Sequence, residues 1–97
     1  LYNHFNPAVL RLIQTTIRSA KEAGIWAGMC GEMASDPNAA VLLLGMGISE
    51  LSMSAPSIPR VKEKLRSVSS MEAKEILAGV MKMEDADEIK NYLAKIL

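Results

Sequence analysis

The 97 residues carry eleven basic and eleven acidic side chains, and only 4% of them are aromatic. Neither the positive footprint nor the stacking platform of a nucleic-acid binder is therefore present. The longest run without a polar side chain, residues 39–48, is far short of the roughly 20 apolar residues that insert across a bilayer, no basic leader opens the chain, and one cysteine permits no internal disulfide, all of which suits a reducing, cytoplasmic setting.

The opening Leu1-Tyr2-Asn3-His4-Phe5 lacks an initiator Met and reads as the exit from a preceding element, so the chain is expected to be a piece of something longer. Asn6-Pro7 starts a first helix. Val9, Leu10, Ile13, Ile17 and Ala20 recur on one helical face, Arg11, Gln14, Arg18 and Lys21 take the other, and Gly24 supplies a left-handed cap. Ile25 to Met29 is apolar and short, as a strand covered on both faces would be. After a loop holding Cys30, Asp36-Pro37 signals the next helix start, with Asp as N-cap and Pro at the first helical position. That helix runs from Asn38 to Met46 and closes at Gly47, and Glu50 to Ser54 reads as a second strand. The stretch between the strands exceeds the dozen or so residues a parallel crossover requires, which favours a βαβ unit over a hairpin.

Past Ala55-Pro56, Ser57 is placed to cap a third helix with Ile58, Val61, Leu65 and Val68 on its apolar side. Two capping boxes follow, at Ser69–Glu72 and Asp85–Glu88. The first opens a helix turning Ile76, Leu77 and Val80 inward, the second a helix turning Ile89, Tyr92, Leu93 and Ile96 inward. The fold expected is α/β: the C-terminal quarter of a (β/α)₈ TIM barrel, with two parallel strands, crossover helices and two extra C-terminal helices. Residues 1–68 form the last βα units and residues 69–97 a helical extension. A doubly wound sheet is the alternative.

Cys30 falls where a strand gives way to a helix, the end of a parallel sheet at which ligands bind. An unpaired cysteine is otherwise most often a small buried hydrophobe. If it acts, it acts as a nucleophile or as a proton donor. A nucleophile needs an activating base, and the sole histidine, His4, lies one element upstream with no Asn or Asp spaced to orient it. A donor needs no partner, since a thiol titrating near about 8.5 is already protonated at neutral pH. Asp36 is accounted for by capping and Glu32 by loop solvation. Met29, Met46 and Met53 read as packing, and helical spacing spreads Arg60, Lys62 and Lys64 over a solvated face.

The segment Gly28-Met29-Cys30-Gly31-Glu32-Met33-Ala34-Ser35-Asp36 is followed by Leu42-Leu43-Leu44-Gly45-Met46-Gly47-Ile48 and by Leu51-Ser52-Met53-Ser54-Ala55-Pro56-Ser57-Ile58-Pro59-Arg60. Together they resemble the C-terminal end of the enzyme I family of the bacterial sugar phosphotransferase system, the phosphoenolpyruvate-protein phosphotransferases. Asn6-Pro7-Ala8-Val9-Leu10 fits the helix before the family's cysteine strand, and Ser35 stands where the family more often has Gly. The likeness fades over the last two helices.

The resemblance implies a phosphoenolpyruvate-binding barrel that, with magnesium, transfers phosphate to a histidine of the same enzyme and on to a histidine-containing phosphocarrier protein in sugar uptake. It implies a homodimer of the full-length enzyme and Cys30 as the general acid that protonates enolpyruvate to pyruvate. The phosphohistidine, the magnesium carboxylates and the phosphate-binding arginines are expected upstream of Leu1, so no metal ligand is assigned here and the chain alone is expected to be inert. Pyruvate phosphate dikinase and phosphoenolpyruvate synthase, which share a Cys-Gly pair there, rank second because their next strand differs. A non-catalytic helical interaction module, with Cys30 as filler, is the alternative of another class.

Overall fold

A computed structural model describes residues 3–97, with Cys30 described by its backbone alone; the expectation placed on Leu1 and Tyr2 lies outside the described residues. The first helix, α1 (Pro7–Glu22), begins where Asn6 accepts the Ala8 N–H on its side chain. It stops where Gly24, at φ +70°, lets the N–H of Gly24 reach Lys21 O and that of Ile25 reach Ala20 O. These two bonds form a Schellman closure, which uses carbonyls the helix itself leaves open.

Strand β1 (Gly28–Cys30) pairs in parallel with β2 (Glu50–Ser52), Gly28 level with Glu50 and Cys30 level with Ser52. Between them lie the single turn α2 (Glu32–Ser35) and the helix α3 (Pro37–Met46). Asp36 caps α3 by accepting the N–H groups of Asn38 and Ala39 on Oδ1, at 3.0 and 3.3 Å. At the far end Gly47, at φ +86°, repeats the closure seen at Gly24, with Gly47 N–H on Leu44 O and Ile48 N–H on Leu43 O.

A 3₁₀ turn (Ala55–Ser57) then leads into α4 (Ile58–Arg66), followed by α5 (Ser70–Val80) and α6 (Ala86–Ile96). The centre of the molecule is α3. Ala39, Ala40, Val41, Leu42 and Leu43 are all fully buried, because the helix is apolar around its whole circumference and is covered by α5, α4 and α1. Leu10 and Ile17 of α1, Leu77 and Val80 of α5, and Ile89 and Leu93 of α6 close one continuous core. The result is a helix-rich α/β unit with two parallel strands joined by a helical crossover, the arrangement expected for the closing βα units of a barrel.

Several local expectations are corrected. Ile25 and Trp26 lie ahead of the strand and are 64% and 68% exposed, because no described element packs over them. Cys30 ends the strand rather than beginning a loop, and a helical turn replaces the expected loop after it. Strand β2 stops at Ser52, so Met53 is outside it. Ser57 makes no capping bond; its hydroxyl is turned to Ser54 Oγ at 3.1 Å while the 3₁₀ turn delivers the chain to α4. The box at Ser69–Glu72 closes in both directions, whereas at Asp85 the side chain accepts only the Asp87 N–H. Ile96 is 43% exposed, on the outer side of α6.

Candidate active site

The carboxyl ends of β1 and β2 open on a concavity of about 520 Å³ lined by Gly31, Glu32, Ser35, Ser52, Met53, Ser54 and Ser57. Parallel pairing puts every strand's carboxyl end on one side, so Cys30 and Ser52 finish level at this rim. Four of the seven lining residues are serines: the Ser54 and Ser57 oxygens lie 3.1 Å apart, and Ser57 is buried. The Cys30 side chain lies outside the described residues, so its placement here is that of its backbone.

Gly31 is required by conformation. Its φ of +86° with ψ of −155° is a region that residues bearing a Cβ enter only under strain, while nothing lies within 4 Å of where a Cβ would stand. The residue turns the chain out of the strand and into α2. In that turn the Ser35 N–H and hydroxyl both donate to Gly31 O, at 3.2 and 3.1 Å.

Beside this rim a second concavity, about 390 Å³, is lined by His4, Glu32, Ser35, Asp36, Pro37 and Arg60. Here His4 Nε2 lies 3.0 Å from Asp36 Oδ2. Because an ionised carboxylate only accepts, the imidazole Nε2–H is the donor. Asp36 therefore uses both oxygens, one on the α3 N-terminus and one on His4. The sequence reading gave Asp36 the first task alone and left His4 without an orienting acid; the structure corrects both. The pair spans 32 residues of chain, so no local spacing could have revealed it.

The remaining candidates do not converge. Glu32 is exposed at the rim, in keeping with solvation. Arg60 faces the His4 concavity, Lys62 lines an apolar groove with Leu51, Met53 and Leu65, and Lys64 Nζ donates to Leu97 O at 2.7 Å. Arg60 and Lys64 also line one concavity together with Glu63, while Lys62 lies apart, so the three cations do not gather at one site. Met46 is buried, with Met29 packed against the core beside it. Among the described residues no group of three or more His, Cys, Asp or Glu side chains is placed to hold a metal ion. Nor is any described helix long and apolar enough to cross a membrane.

Comparison with known proteins agrees with this architecture. A family model described as PEP-utilising enzyme, PEP-binding domain, matches residues 1–70. A phosphoenolpyruvate-protein phosphotransferase of Buchnera aphidicola is 47% identical over 93 residues, which are 96% of this chain and 16% of the relative. Its namesake from Haemophilus influenzae is 43% identical over 97 residues, 100% of this chain and 17% of the relative. The one from Geobacillus stearothermophilus is 42% identical over 95 residues, 98% and 16% of the respective lengths. The chain thus spans about one sixth of the length of these relatives.

Proposed function

The chain belongs to the PEP-utilising enzymes, through their PEP-binding domain, and from that premise we propose that it forms the closing part of the catalytic barrel of a phosphoenolpyruvate-protein phosphotransferase. The enzyme moves a phosphoryl group from phosphoenolpyruvate to one of its own histidines and on to a histidine-containing phosphocarrier protein, in the cytoplasm, for sugar uptake. Magnesium is held by residues outside this chain. The working enzyme is a homodimer.

The role of this chain is to finish the reaction. When the phosphorus–oxygen bond of phosphoenolpyruvate breaks and the histidine nitrogen takes the phosphoryl group, the bridging electrons remain on enolpyruvate. Its methylene carbon must then gain a proton to give pyruvate. The Cys30 S–H supplies it, the sulfur keeps the bonding electrons as thiolate, and solvent restores the proton. The observation that supports this reading is the position of Cys30 as the last residue of β1, level with Ser52 at the carboxyl rim and followed by a glycine whose backbone turns away from it. An acid that only donates requires no activating base.

In the full-length enzyme Cys30→Ala is expected to lower pyruvate formation by about 10²-fold or more, while single-turnover phosphorylation of the histidine continues. Steady-state turnover at the parental rate would refute the assignment. The 97 residues alone, supplied with phosphoenolpyruvate, magnesium and carrier protein, are expected to form no pyruvate.

A further inference from the structure

The four serines at the carboxyl rim are not equivalent, because each hydroxyl has a single proton to place. Ser35 spends its proton on Gly31 O, at 3.1 Å. Ser57 is only 8% exposed, and among the described residues its hydroxyl has one partner, Ser54 Oγ at 3.1 Å. A buried hydroxyl that donated nowhere would forfeit a hydrogen bond it makes in water. Ser57 is therefore the donor of this pair and Ser54 the acceptor. Ser54 is itself exposed on the concavity, so its own proton is left for whatever enters there. Ser52, the remaining hydroxyl of the lining, has no partner among the described residues to direct it.

The backbone presents Ser54 firmly. The Ser57 N–H donates to Ser54 O at 3.0 Å across the 3₁₀ turn, and β2 ends two residues earlier, at Ser52, where it is still paired with β1. What such a donor can bind is decided by its surroundings. The concavity has no Lys or Arg on its lining, and the one charged side chain there is the exposed Glu32. A phosphoryl group carries a charge approaching about −2 and is ordinarily met by cations. A carboxylate carries one charge, and a directed neutral O–H is an adequate donor to it.

We propose that Ser54 is a substrate-binding residue: its hydroxyl, turned outward by the buried Ser57, donates to the carboxylate of phosphoenolpyruvate. The rim thus takes the carbon end of the substrate, and the phosphoryl end is left to residues outside this chain. The proposal rests on the reading of this rim as the phosphoenolpyruvate site. Because the substrate carboxylate keeps its charge throughout the reaction, the bond acts on ground state and transition state alike, and its loss falls on KM more than on kcat.

The test uses the full-length enzyme. Ser54→Ala is expected to raise KM for phosphoenolpyruvate about ten-fold, the usual weight of a hydrogen bond to a charged group, and to change kcat by much less. Inhibition by oxalate, which carries carboxylates and no phosphorus, should weaken by a similar factor, while inhibition by inorganic phosphate should stay as it is. Ser54→Thr keeps the hydroxyl and should recover most of the affinity. Ser57→Ala removes only the group that directs Ser54 and should raise KM by less than Ser54→Ala does. Since Ser54→Ala leaves the buried Ser57 proton without an acceptor, the double alanine variant, in which neither hydroxyl is orphaned, is measured beside it and should show the same KM; if Ser54→Ala fails to fold, the double variant decides. Parental KM in the alanine variants overturns the proposal, as does a loss confined to kcat, a Ser57→Ala weaker in binding than Ser54→Ala, or a weakening of phosphate in place of oxalate. Cys30→Ala keeps the two claims apart. If it abolishes turnover while Ser54→Ala binds as the parent does, the hydroxyl's role alone fails; if it leaves turnover intact while Ser54→Ala raises KM, the proton-donor reading alone fails.

Discussion

Gly45 offers the sharpest test of the packing that supports the site. It lies on α3 where α5 crosses, and a Cβ added there would stand 2.6 Å from the carbonyl oxygen of Ala73 and 3.2 Å from Leu77 Cβ. Ordinary contact begins near 3.4 Å, so the first clash is about 0.8 Å too close. Rotation of a side chain cannot relieve it, because the obstructing atom is backbone within α5. Gly45→Ala must push two helices of a close-packed core apart. Overpacking of this kind costs about 1–3 kcal/mol, and the better helix propensity of alanine returns about 0.5–1 kcal/mol. The net expectation is a loss of about 1–2 kcal/mol, which for a domain of this size lowers Tm by about 5–15 °C. Gly79→Ala on α5 is the control. Its Cβ would meet Tyr92 Oη at 3.5 Å, an ordinary contact, so propensity decides and the variant should be as stable as the parent or slightly more so. Urea denaturation followed by circular dichroism measures both. A Gly45→Ala chain as stable as the parent would refute the argument from close approach.

Four further expectations follow from particular contacts. Asp36→Ala removes the cap from two N–H groups of α3 and should cost about 1–2 kcal/mol in the same assay, with Asp36→Asn closer to the parent. The Glu72 carboxyl is held below the ordinary glutamate range, first by the Ser69 N–H and then by the Ser69 hydroxyl. Its stabilising effect on α5 is therefore complete above the ordinary value of about 4.3 and is lost as pH falls through the depressed one; Glu72→Gln should remove this part of the acid dependence in a pH series of unfolding curves, and an unchanged series would count against it. In the full-length enzyme a small alkylating reagent should modify native Cys30, and phosphoenolpyruvate should slow the modification; reaction only on unfolding would place the thiol in the core. The 97-residue chain should self-associate through its open strand edges and the exposed Leu12, Ile25 and Trp26, and a monomeric profile in size-exclusion chromatography would contradict this.

Much of the fold was legible because its punctuation is local. Asn6-Pro7 and Asp36-Pro37 start helices, Gly24 and Gly47 end them, and the Ser69–Glu72 box opens another; each signal acts within a few residues and appears in the structure where the sequence put it. What the sequence hid is non-local. The apolar run at Ile25 and Trp26 suggested burial, but burial is conferred by neighbours, and among the described residues none covers them. The single turn α2 shows no periodicity, because its four residues complete barely one turn and no face recurs. At the site, the cysteine's place where a strand gives way to a helix was readable from the pattern around it, although the strand includes Cys30 rather than stopping before it. The partnership of His4 with Asp36 was not, since it exists only once α1 and α3 have packed.

The closures at Gly24 and Gly47 share one geometry, and each is followed by an isoleucine and then by a strand of the same parallel pair. A helix, a left-handed glycine and a strand thus recur as an interchangeable module. Because each module brings the chain back to start its strand at the same edge of the sheet, the two strands run parallel and their carboxyl ends emerge on one side.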